Sequence, residues 1–259
     1  MANLPKIGIS LGSGLARGLA HIGVIKVFAQ AGLKIDCIAG SGMGGIVASL
    51  YASNFEIKLM ERLARSISRR TWMDFTFPRM GLIAGERLEE LMYLLTGRRA
   101  IEDLNLPLAL STTDLCTGEQ VLLRRGCIAR AVRASCAVPG IFSPVRLQGR
   151  ILADGGIIER VPVNAVQEMG AELVVAVDVG YYVAEYKISH IFDVMAKTID
   201  IMSREICQKQ LDRADVLIAP DLRDIGPFHF HRVQEIIHRG EEAARAALPL
   251  IQSKLEKEG

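Results

Sequence analysis

Ala39-Gly40-Ser41-Gly42-Met43-Gly44-Gly45 joins a short β-rich run at 35–39 to a helical run through 46–52, and its reading decides the fold. Gly40 and Gly44 flank position 42 at two residues on each side. That is the frame of the Gly-x-Ser-x-Gly turn, which lifts a nucleophile off the end of a strand. The apex of such a turn takes positive φ, a conformation that costs a residue with a side chain on the order of 1–3 kcal/mol and glycine almost nothing. Here the apex is Gly42, so the frame is kept and the reactive atom is missing. Ser41 does not replace it. Ser41 stands one step before the apex, its own flanks are Ala39 and Met43, and it is expected to point elsewhere.

A second glycine turn lies upstream, Leu11-Gly12-Ser13-Gly14-Leu15-Ala16-Arg17-Gly18, between a strand at 6–11 and a helix at 17–31. Backbone N–H groups at a strand–helix junction are unpaired and can hold an anion. Taken alone, the turn suits a phosphate cradle, a cradle for a developing oxyanion, or a tight turn with no ligand. A nucleotide site has the least support. There is no Gly-Lys-Ser/Thr loop, and Arg17 breaks the Gly-x-Gly-x-x-Gly pattern.

Further strands are expected at 108–113, 120–123, 150–152, 173–178 and 216–219, with helical patterns between them. Strands separated by helices imply an α/β fold with a mostly parallel central sheet and helices on both faces. The continuously apolar run 174–177 is that of a strand buried on both sides. No repeat or linker divides residues 1–259, which reads as one domain. Two segments look like additions: a helical stretch at 56–99 broken around 74–81, a candidate cap, and an amphipathic helix at 231–257.

Composition narrows the function classes. Half of the 259 residues are hydrophobic, so a large core is expected. With 31 basic and 29 acidic residues, the net charge of +2 gives no case for a nucleic-acid partner. The five cysteines have no metal-ligand spacing and form no even, patterned set, which points to reduced thiols in a cytoplasmic setting. No secretory leader and no run long enough to span a bilayer is read.

The chain resembles the bacterial branch of the patatin-like phospholipase family over nearly its whole length. The resemblance is carried by the Gly-rich turn continuing through Arg17-Gly18-Leu19-Ala20-His21-Ile22-Gly23, and by the turn with Gly40 and Gly44. It continues in Gly81-Leu82-Ile83-Ala84-Gly85-Glu86, Thr113-Asp114-Leu115, Ala134-Ser135 through Pro144-Val145, and Ala153-Asp154-Gly155-Gly156. It implies a three-layer patatin-like fold and a Ser–Asp dyad. A serine at position 42 would attack an acyl ester, and Asp154 of the Asp154-Gly155-Gly156 motif would accept its proton. Amides of the first turn (Gly12, Ser13, Gly14, Leu15, Arg17, Gly18) would hold the oxyanion, and no metal or organic cofactor would be needed. The second turn contributes Gly40, Ser41, Met43 and Gly44 around the apex.

Leu15 departs from the small residue usual there, and Gly42 removes the nucleophile. The chain as written is therefore expected to have the architecture of a lipid acyl hydrolase and to be disabled as one. The alternative is a lipid- or acyl-binding scaffold that uses the same pocket without turnover.

The remaining candidates have ordinary explanations. His21 reads as a helix-packing histidine, His229 and His231 as turn residues, and Asp114 and Asp178 as loop anchors. Arg17 reads chiefly as structural support. Residues 62–80 mix arginines with Trp72, Phe75, Phe77 and Met80, a composition that suits both peripheral contact with an anionic membrane and a core-plugging loop. The helical spacing of Ile188, Ile191, Phe192, Met195, Ile199 and Met202 is that of core packing or a contact between copies.

Overall fold

A computed structural model describes residues 5–66, 74, 80–180 and 188–257. In chain order its strands are β1 (Ile7–Leu11), β2 (Cys37–Gly40), β3 (Gly81–Ile83), β4 (Leu108–Asp114), β5 (Gln120–Leu123), β6 (Gly140–Phe142), β7 (Val145–Leu147), β8 (Arg150–Asp154), β9 (Leu173–Val177) and β10 (Val216–Ile218). The α-helices are α1 (Ala20–Gln30), α2 (Met43–Ala52), α3 (Ile57–Ser66), α4 (Glu86–Leu95), α5 (Ile128–Ser135), α6 (Val163–Glu168), α7 (Ile191–Leu211) and α8 (Val233–Lys257). The main sheet follows the hydrogen-bonded path β10-β9-β1-β2-β4-β8-β7, with β5 also on β4, while β3 pairs β6 separately. Pairings from β10 to β4 are parallel, and those of β5, β7 and β8 are antiparallel.

The alternation of side chains along the strands explains the layers. Ile7, Ile9, Leu11, Ile38, Val175 and Val177 point to one face and join the core formed with α1, α2 and α8. The intervening Cys37, Ala39, Val174 and Ala176 point to the other face, against Val163, Ala165 and Val166 of α6 and Cys207 and Leu211 of α7. Large aliphatics meet the broad helical layer, and small residues let α6 lie close.

The helix expected at 17–31 begins instead as a 3-10 turn, Leu15–Leu19, that runs into α1. The Ala16 amide is drawn to the Pro227 carbonyl (3.0 Å), so the chain is held from outside before α1 starts. The helix expected through 46–52 starts earlier, at Met43, directly after the Gly42 apex. Strands β3, β6 and β7, of three residues each, are not among the expected strands, whereas the equally short β10 is. The expected break around 74–81 falls mostly outside the described residues, but α3 and α4 on either side of it are present.

α1 and α8 cross at two glycines. A Cβ at Gly23 would overlap the Ile237 carbonyl oxygen, and one at Gly240 would overlap the Ala20 carbonyl oxygen. Lys26 adds ion pairs at 2.8 Å to Glu241 on α8 and to Glu61 on α3, tying three helices together.

Candidate active site

The register of β4 brings the two halves of the site together. β5 pairs with residues 110–113 of β4, β2 with 108–110 and β8 with 112–114. A strand edge can pair with one neighbour at a time, and both β2 and β8 overlap β5. They therefore share the opposite edge of β4 and run toward each other. Gly40 ends opposite Leu110 and Asp154 opposite Thr112. The turn leaving β2 and the carboxylate ending β8 must meet there.

Gly42 has φ 54° and ψ −123°, the strained apex that the glycine frame implied. Its amide donates to Ser135 Oγ (3.1 Å), its carbonyl accepts from Cys136 Sγ (3.2 Å), and Ser135 Oγ donates to the Ser111 carbonyl on β4 (2.8 Å). The apex is thus fixed at both ends of its own residue. A Cβ built on Gly42 lies 3.2 Å from Asp154 Oδ2 and 2.6 Å from Ser13 Oγ. Gly40 and Gly44 permit the tight turn, since a Cβ on Gly44 would overlap the Leu11 carbonyl oxygen. Gly18 leaves room for the Met43 side chain.

Ser41 corrects an expectation. It was expected to point elsewhere, but its hydroxyl donates to Asp154 Oδ1 (3.3 Å) from a fully buried position. The turn twists as it leaves β2, which turns Ser41 inward beneath the carboxylate.

Asp154 is buried. It accepts from the Gly156 amide at Oδ1 (2.7 Å) and from Ser13 Oγ at Oδ2 (3.4 Å). Burial pushes its pKa up from 3.8 to about 6, against the opposing hydrogen bonds of Gly156, Ser41 and Ser13 and the charge of Arg160. Gly155 lets the chain pass close over Ser111.

Most amides of the first turn are already engaged. Gly12 N–H donates to the Val177 carbonyl, Ser13 N–H to Arg160 and Arg17 N–H to Gly14. Gly18 lies inside the 3-10 turn Leu15–Leu19, whose own ladder takes its N–H. Among the described residues the Gly14 and Leu15 amides have no acceptor, which narrows the six expected donors to these two. Leu15 holds a positive φ of 50°, strained for a residue with a side chain. His21 is fully buried and 2.7 Å from the Gly12 carbonyl. Burial lowers its pKa to about 4, so it is neutral and its Nε2–H donates to that carbonyl, bracing the turn. Arg17 is buried as well.

Asp114 accepts from the Cys116 amide and from Arg150, and Asp178 from the Gly180 amide; both anchor loops. The His229 ring accepts from the Gly226 amide within its turn.

A cavity of about 120 Å³ opens from Ser13, Gly42 and Asp154. Its walls are apolar, from Leu19 and Ile22, from Leu50, from Met60 and Leu63 of α3, and from Leu91 and Leu95 of α4. The described helices of the expected cap segment, α3 and α4, thus supply walls of the cavity. A smaller cavity, about 30 Å³, also reaches Ser13 and Asp154 and is lined by Arg17, Arg160 and by Ala196 and Ile199 of α7. Ser135 and Cys136 carry no assigned role in the sequence, and α7 reads there only as core packing or a contact between copies, because each meets the site through a contact distant along the chain.

The profile of the family described as patatin-like phospholipase matches residues 9–166. Over 176 residues the chain is 37% identical to an uncharacterized NTE family protein of Mycobacterium tuberculosis, covering 67% of this chain and 49% of that one. It is 32% identical over 180 residues to Lysophospholipase NTE1 of Pyricularia oryzae, covering 67% of this chain and 12% of that one. The chain therefore spans about half the length of the mycobacterial relative and far less of the fungal one. Among solved structures, VipD from Legionella pneumophila aligns with a TM-score of 0.67 at 13% identity, over 95% of this chain and 67% of that chain. The type III effector protein ExoU aligns with a TM-score of 0.51 at 13% identity, over 96% and 53% respectively. At such identities the likeness bears on the fold alone, a mixed α/β sheet with helices on both faces. The family rests on the profile and the closer relatives: the chain belongs to the patatin-like phospholipase family.

Proposed function

We propose that this chain binds the acyl ester of a phospholipid or lysophospholipid, with the acyl chain in the apolar cavity and the ester carbonyl at its polar end. Asp154 is the base and the Gly14 and Leu15 amides are the oxyanion donors. The observation that carries this reading is the 3.2 Å between Asp154 Oδ2 and a Cβ at position 42, at the mouth of an apolar cavity. A carboxylate with a pKa near 6 is a far better proton acceptor than one in water. Gly42 carries no hydroxyl, so the elbow route to hydrolysis is closed. Loss of the nucleophile costs a serine hydrolase about a millionfold.

Gly42→Ser tests the reading with a short-chain p-nitrophenyl ester or a phospholipid. The serine variant is expected to be faster by several orders of magnitude, and equal rates would end the assignment. The strain at the apex, on the order of 1–3 kcal/mol, is the expected stability cost of that variant.

Gly42 also favours a second reading, a scaffold that holds a lipid without turnover. Native mass spectrometry of the purified chain separates the two. A retained fatty acid with no ester hydrolysis belongs to the scaffold.

Peripheral membrane contact in a reducing compartment completes the proposal. Arg69, Arg70, Trp72, Phe75, Phe77 and Arg79, expected to carry that contact, lie outside the described residues. Support comes from α7, which lines the smaller cavity with Ala196 and Ile199 and exposes Ile191, Val194, Ile201 and Met202. No helix among the described residues is long and apolar enough to cross a membrane.

A further inference from the structure

The Ser13 hydroxyl crowds the space beside Gly42. Ser13 Oγ lies 2.6 Å from where a Cβ on Gly42 would stand, and 3.4 Å from Asp154 Oδ2. Had residue 42 a side chain, Ser13 could not keep this position. Three other hydroxyls belong to the same hydrogen-bonded cluster, and none of them lines either cavity. Ser41 is fully buried on Oδ1 and lines neither cavity. Ser135 donates to the Ser111 carbonyl, and Thr113 Oγ1 donates to the Asp154 carbonyl. Only Ser13, among these four, both touches the Asp154 carboxylate and opens onto the two cavities.

Its backbone is also fixed. The Ser13 amide is tied to the Arg160 carbonyl at 3.0 Å, while the Gly14 and Leu15 amides that follow it are open. A hydroxyl beside a buried carboxylate, followed by free amides, has the parts an acyl-transfer site needs.

We propose that Ser13 supplies the attacking hydroxyl that position 42 lacks, so that the chain turns over acyl esters through a Ser13–Asp154 pair. The inference rests on the acyl-ester reading of the pocket. Asp154 Oδ2 takes the Ser13 Oγ proton as an Oγ lone pair bonds to the ester carbonyl carbon. The carbonyl π pair moves onto oxygen, beneath the Gly14 and Leu15 amides. On collapse the ester C–O bond breaks, and the departing alkoxide takes the proton from Asp154. This leaves acyl-Ser13 and a free alcohol. Water, deprotonated by Asp154, then attacks the acyl carbon, and Ser13 leaves with that proton, releasing the fatty acid.

The full chain treated with an alkyl fluorophosphonate, digested and mapped by tandem mass spectrometry, is expected to carry the phosphonyl group on Ser13. Labelling is expected to vanish in Ser13→Ala and in Asp154→Asn, and p-nitrophenyl butyrate hydrolysis to fall at least about tenfold in Ser13→Ala. Label on another residue, no label, or an unchanged Ser13→Ala rate overturns the inference. Thermal melts check that Ser13→Ala folds, and Ser13→Cys gives an independent route, since a thiol in that place is expected to accumulate an acyl-thioester visible by intact mass. The double variant Gly42→Ser with Ser13→Ala separates this inference from the reading beneath it. If that variant labels at position 42 while the parent chain stays unlabelled, Ser13 fails and the acyl pocket stands. If neither labels, both fall.

Discussion

The carboxyl of Asp154 is easier to protonate in the folded chain than in water, because burial outweighs the three hydrogen bonds and the Arg160 charge that favour its ionised form. Between the unfolded value near 3.8 and the folded value of about 6, the folded state holds the proton more tightly. Stability therefore falls as pH rises through that window, by on the order of 3 kcal/mol, and the penalty stands in full above it. Asp154→Asn removes the penalty and keeps an acceptor for the Gly156 amide. That variant is expected to be more stable than the parent at pH 8 and to lose its advantage near pH 4, read from urea unfolding at the two pH values. An advantage of equal size at both would rule out burial of the charge as its source. The glycine spacing around position 42 was legible in sequence, because a strained apex imposes its own local composition. Asp154 was legible through its motif. The contact between Ser13 and position 42 was not, since it arises only when two strand ends are packed side by side.

Elements show the same division. β1, β4 and β9 announced themselves by length and apolar content, whereas β3, β6 and β7 are held in place by their partners. The α1–α8 crossing depends on residues with no periodic signature at all. Gly23 and Gly240 each admit the backbone of the opposite helix, so a methyl group at either position forces the helices apart. Gly240→Ala is expected to destabilise the fold by about 1–3 kcal/mol, the ordinary cost of overpacking, despite alanine's better helix propensity. Its urea midpoint should drop with an unchanged slope. A variant as stable as the parent would mean that the two helices do not approach so closely.

For the whole molecule, a mostly parallel sheet with two covered faces follows from the pattern of strands and helices, whereas the order of the strands emerges only from their pairing. The stretch at 56–99 reads in sequence as a candidate cap, but which of its side chains line the cavity is set by packing distant along the chain. α7 is apolar on two adjoining sides, one over the site and one toward solvent, where Ile201 is 63% and Met202 73% exposed. Changing both to glutamate is expected to leave the melting temperature nearly unchanged, since neither is packed, and to weaken co-sedimentation with anionic phospholipid vesicles. Undiminished vesicle binding would place the lipid contact elsewhere on the surface.

The tail-to-tail arrival of β2 and β8 on one edge of β4 has a consequence for the growing chain. A polypeptide released only as far as the first four strands has both glycine turns and much of the apolar wall, yet lacks Asp154. The pocket stays incomplete until residue 154 docks beside the Gly42 turn. Because successive side chains alternate between faces, a slip of β8 by one residue would carry the acid to the wrong side of the sheet. The site is therefore a check on assembly: only a correctly registered sheet can protonate and deprotonate anything there.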